Sequence, residues 1–123
     1  MALFIKLEEE ANFDTFVNGK ALSRTADVLD GIAAQLAVKP LMEFYSTNPE
    51  DLPEEAQGIE ITWKEEWFIA SDGLATVRTL LSYFQNNKVA GIDEMVIADL
   101  EEFEQVLDEA DKRAIKWHLE IDD

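Results

Sequence analysis

A chain of 123 residues with 27 acidic and 10 basic side chains carries a formal net charge of −17, well beyond the magnitude of about 2 to 8 that suits an ordinary small domain. A field of that sign repels polyanions at long range, which disfavours nucleic acid and anionic membrane surfaces as partners, and the absence of cysteine excludes disulfides, thiolate metal sites and thiol nucleophiles. An apolar fraction of 47% can still build a core, no stretch approaches the roughly 18 apolar residues of a membrane span, and the start of the chain lacks the basic and apolar regions of a signal peptide, so one cytoplasmic domain over 1–123 is expected.

In chain order, Leu3, Ile5 and Leu7 alternate with Phe4 and Lys6 before Glu8-Glu9-Glu10 breaks the pattern, which predicts a first strand. Phe13, Phe16 and Val17 are spaced as one helical turn, but Asn12, Asn18 and Gly19 interrupt them, so 11–20 reads as a loop or a short helix. Between Lys20 and Val38, Leu22, Leu29 and Leu36 repeat every seven residues and Ala26, Ile32 and Ala33 widen the stripe, predicting a helix that Pro40 stops. Leu41 to Tyr45 is rich in strand formers and is followed by the turn sequence Ser46-Thr47-Asn48-Pro49. The acidic stretch 48–58 reads as an exposed connection, and Ile59, Ile61 and Trp63 alternate as a third strand running into Glu65-Glu66.

Ser71-Asp72-Gly73 offers a cap, and Leu74, Val77, Leu81 and Phe84 then recur at helical spacing, predicting a helix from Asp72 to Asn86. Met95 to Ile97 fits a short strand or the first turn of the last helix. Asp99 and Glu102 stand at capping-box spacing and put the start of that helix at Asp99, with Leu100, Phe103, Leu107, Ala110 and Ala114 as its apolar stripe. Finally Ile115, Trp117, Leu119 and Ile121 alternate with Lys116, His118 and Glu120, the pattern of a strand with its odd residues inward and His118 facing out to solvent. The resulting order β-α-β-β-α-α-β predicts an α+β fold, a small, mostly antiparallel sheet of about four strands with helices packed on one face and the first and last strands as neighbours.

His118 is the only histidine, so any acid–base pair joins it to Glu120 or to an acid the sequence does not place, and neither a serine nucleophile triad nor a His-Glu-x-x-His metal motif can be assembled around it. Glu101, Glu104, Asp108 and Asp111 recur along one helix and read as a solvated row, not as metal ligands. Single, scattered glycines exclude a phosphate loop, and no metal or other cofactor is expected. Trp63 and Trp67 flank Glu65 and Glu66, and ring faces beside carboxylates attract cations.

The preferred functional expectation is a non-enzymatic interaction or regulatory module that engages a basic protein through Trp63, Glu65, Glu66 and Trp67, comparable to toxin-neutralising immunity proteins by size and charge alone. A small enzyme or small-molecule-binding domain using His118 and a carboxylate near the tryptophans is the second reading. Self-association as a homodimer is the third.

Overall fold

The computed structural model describes residues 1–48 and 64–122. In order they form β1 (Ala2–Leu7), α1 (Lys20–Gln35), a 3-10 turn at Leu41–Phe44, α2 (Ala70–Asn86), α3 (Glu94–Lys112) and β2 (Trp117–Asp122). The two ends of the chain meet as neighbours: β1 and β2 pair antiparallel, with Leu3 opposite Ile121, Ile5 opposite Leu119 and Leu7 opposite Trp117. Their odd-numbered residues share one face because side chains alternate along a strand. Leu3, Ile5, Trp117 and Leu119 are buried there with Leu22, Leu29, Val77, Leu80, Leu100, Phe103 and Leu107 from the three helices. Burying each large side chain of this kind contributes roughly 1.5–3 kcal/mol.

The four-strand sheet and the order β-α-β-β-α-α-β are not what forms: among the described residues the sheet has two strands. Leu41 to Tyr45 is the clearest departure. A strand would send Leu41 and Phe44 to opposite faces, whereas one tight helical turn after Pro40 brings both onto the core side, where both are fully buried. The expected third strand at Ile59, Ile61 and Trp63 lies outside the described residues, as does the acidic connection apart from Asn48. What occupies the second edge of β2 is a pair of single-residue bridges, Tyr45 to Leu119 and Phe68 to Trp117.

Helix boundaries follow from where polar side chains find backbone donors. α3 begins after Asp93, whose side chain accepts from the N–H groups of Met95 and Val96, so Met95–Ile97 is its first turn. Asp99 therefore does not start the helix. It sits buried within α3, and its Oδ2 accepts from the N–H groups of Ala21 (3.0 Å) and Leu22 (3.3 Å), capping α1 from a distance in sequence. α1 needs this help because its own N-cap is Gly19, which has no side chain to offer. A Cβ at Gly19 would collide with the backbone of Leu3, whose N–H donates to the Gly19 carbonyl at 3.1 Å. α2 starts at Ala70, slightly before the expected Asp72, without a side-chain cap.

The turn from α3 into β2 is a Schellman motif. Ala114 takes a left-handed φ of 53°, Ile115 N–H donates to the Ala110 carbonyl and Ala114 N–H to that of Asp111. This reversal delivers Ile115 and Trp117 to the core. The indole of Trp117 then stacks on Phe44 at 4.9 Å, and Gly73 of α2 lies so close to it that any Cβ would meet the indole ring.

Burial pushes the Asp99 carboxyl above the usual aspartate range, with the bonds from Leu22 and Ala21 only partly offsetting it. An acid raised on folding adds stability that is complete below its unfolded pKa and lost as pH rises through the folded one. Asp99→Ala strands two α1 donors and is expected to cost about 2 kcal/mol in urea unfolding. Asp99→Asn retains an acceptor and costs less, and its deficit against the wild type is expected to be widest in acid and to narrow toward neutral pH.

Candidate functional site

The antiparallel register places Lys6 opposite His118 and Phe4 opposite Glu120, on the sheet face turned away from the helical core. His118 does face away from that core, yet it is 0% exposed, and the expectation of a solvent-facing imidazole is overturned. The cause is the segment 64–68, which covers this face. Phe68 N–H donates to the Trp117 carbonyl (2.8 Å) and Trp117 N–H donates back to Phe68 (2.9 Å), fixing the segment against β2. Ser46 strengthens the attachment: its hydroxyl accepts from Glu66 N–H at 2.8 Å while its own N–H donates to the Leu119 carbonyl.

So held, Trp67 lays its ring on the imidazole at 4.4 Å with a 39° tilt, and the Glu65 carboxylate comes within 2.9 Å of His118 Nε2. Glu120 stands 3.8 Å from the same nitrogen, and Lys6 Nζ lies 3.5 Å from each of the two carboxylates. His118 Nδ1 faces the Leu119 carbonyl at 3.4 Å, so both ring nitrogens look at oxygen acceptors. Burial of Glu65 acts to raise its carboxyl, but the hydrogen bond with His118 and the Lys6 charge outweigh it and hold the group below the usual glutamate range.

Of the four residues expected to meet a partner, Glu65 and Trp67 are thus engaged with His118, Glu66 is exposed, and Trp63 lies outside the described residues. Glu120 does accompany His118, as the sequence reading paired them. The partner that reading left unplaced is Glu65, whose oxygen is the nearer one and which lies 53 residues away in the chain. The acidic row on α3 is partly neutralised: Arg78 of α2 bonds Glu104 and Asp108, each at 3.1 Å, and Lys112 pairs with Asp108.

A second surface joins 13–16, within the stretch expected to be a loop or a short helix, to α3. Asp14 accepts from Phe16 N–H (2.9 Å), and Glu102 accepts from Asn18 N–H (3.1 Å), which together fold the loop against the helix. Phe16 is left 74% exposed beside a hollow of about 460 Å³ that Asp14, Glu102, Asp108 and Glu109 also line. At its side, the Arg113 guanidinium lies 4.6 Å from the Phe13 ring centre and bonds the Glu109 carboxylate. The helical spacing of Phe13 and Phe16 was visible in the sequence. Which of the two rings stays outside was not, because the decisive contact comes from α3.

Compared with known proteins, the chain matches no family, no curated protein and no solved structure. Among the described residues, no helix is long and apolar enough to cross a membrane.

A carboxylate lowered on folding contributes stability that is complete above its unfolded pKa and is lost as pH falls through the folded one. The wild type is therefore expected to exceed Glu65→Gln in unfolding free energy at neutral pH. That margin should shrink as pH drops below the ordinary glutamate value of 4.5, a trend that urea titrations at a series of pH values will read out.

Proposed function

We propose that this protein is a non-catalytic recognition module for a basic protein partner, and that the contact centres on Phe16. The observation that carries this reading is a phenyl ring 74% exposed beside the carboxylates of Asp14 and Glu102, whose hydrogen bonds go to backbone N–H groups. A ring face set beside carboxylates offers a cation π-electron density and counter-charge together, which selects a lysine- or arginine-bearing occupant. The chemistry already operates next door, where Phe13 and Glu109 together hold Arg113 of the same chain. The net charge of −17 adds long-range attraction to the same class of partner.

The geometry gives less support to the enzymatic alternative. A general base has to reach the proton it removes, and His118 has no exposed surface while its Nε2 is directed at Glu65.

Phe16→Ala removes an exposed ring, so thermal unfolding is expected to stay unchanged. Affinity for arginine-rich peptides, measured by fluorescence anisotropy, is expected to fall about tenfold, equivalent to about 1.4 kcal/mol. Binding should also weaken steeply with added salt. Equal affinity of variant and wild type would remove Phe16 from the contact, and salt-independent binding would remove the electrostatic basis of the proposal.

A further inference from the structure

We infer that His118, Glu65 and Glu120 form a binding site for a divalent transition-metal ion, independent of the Phe16 surface. His118 Nε2 and one carboxylate oxygen from each glutamate all lie within 4.8 Å of one another, a convergence found nowhere else among the described residues. The separations from Nε2, 2.9 Å to Glu65 and 3.8 Å to Glu120, bracket the edge of roughly 3.3 Å in a tetrahedral site with metal–ligand bonds of 2.0–2.1 Å. The third edge, between the two carboxylate oxygens, lies within 4.8 Å, and rotation of the glutamate side chains would bring the three atoms onto one ion.

The cluster is more than a group of acids, because its nitrogen ligand is fully buried and oriented. The Leu119 carbonyl stands at Nδ1, 3.4 Å away, and the Trp67 ring packs on the imidazole. The Leu119 carbonyl is placed to accept a proton from Nδ1 once Nε2 is given to a metal, the arrangement that orients metal-binding histidines. A metal ion at Nε2 would take the place of the proton that this nitrogen shares with Glu65, leaving the ring proton on Nδ1 toward the Leu119 carbonyl. Lys6 marks where positive charge belongs: its ammonium lies 3.5 Å from each glutamate, and its side chain, 39% exposed, has solvent into which to withdraw.

The donor set selects the ion. One imidazole and two carboxylates without any thiolate suit zinc and its neighbours in the first transition row, whereas calcium and magnesium prefer all-oxygen shells. Three protein ligands leave a position for water or for a group from a partner. Spacing in the sequence could not reveal the site, because no local motif links Glu65 to His118.

The test is a titration of the full chain with zinc alone. Since His118 is the only histidine, its ring proton resonances report on this site without ambiguity. They are expected to shift and saturate at one equivalent. In calorimetry Glu120→Gln, which leaves Glu65 to hold the covering segment, is expected to bind zinc at least tenfold more weakly. Lys6→Met, which removes the competing ammonium, is expected to bind it several-fold more tightly. Histidine signals unmoved at one equivalent, wild-type affinity in Glu120→Gln, or affinity in Lys6→Met no tighter than wild type would each overturn the site. Peptide binding at Phe16 is unaffected by any of these results, so the two proposals fail separately.

Discussion

Everything in this structure depends on β2 being enclosed on both faces and along both edges. Its odd face, Trp117 and Leu119, closes the helical core, and its even face carries a histidine sealed beneath Trp67 and Glu65. One edge pairs with β1; the other takes the single-residue bridges from Tyr45 and Phe68. A two-stranded ribbon alone is marginal in water, and here it persists because it is the surface on which every other element settles. The pairing also ties the first residues of the chain to the last, across the three helices that lie between them in sequence.

The same enclosure decides what the polar residues can do. A histidine driven into the interior has to be matched by partners. The chain supplies two carboxylates and a lysine around it, a group in which each charge is offset by a neighbour within 3.8 Å. α3 repeats the logic at the surface, where Arg78, Lys112 and Arg113 answer Glu104, Asp108 and Glu109. Asp14 and Glu102 are treated differently, since they meet backbone N–H groups of the 13–18 loop. Hydrogen bonds of that kind fix the carboxylates in place without cancelling their charge, which leaves a negative rim around Phe16.

Local periodicity made much of this legible. The alternation at Leu3–Leu7 and Ile115–Ile121 located both strands and which residues turn inward, and the seven-residue leucine repeat located α1 within a few residues. Where the reading failed, a contact distant in the chain had reassigned a local signal. Asp99 and Glu102 have the spacing of a capping box, yet Asp99 caps a different helix. Leu41 to Tyr45 has strand composition, but the core needs Leu41 and Phe44 on one side, and a helical turn achieves that. His118 has the alternation of an outward residue, and that was correct for the strand. Its burial comes from 64–68, whose placement is fixed by Ser46 and Phe68 and by nothing local to the histidine. The candidate site was half visible for the same reason: Glu120 is two residues from His118, and Glu65 is not.

If β2 is the enclosed centre of the molecule, the mutually bonded amides of Trp117 and Phe68 can exchange only when the whole protein opens. Native-state hydrogen exchange by NMR measures this directly. The account predicts that the opening free energies of these two amides equal the global unfolding free energy and match those of the buried turns of α2 and α3. Rapid exchange at Trp117 and Phe68 while the helical amides remain protected would show that the helices fold as a core of their own, and would contradict it.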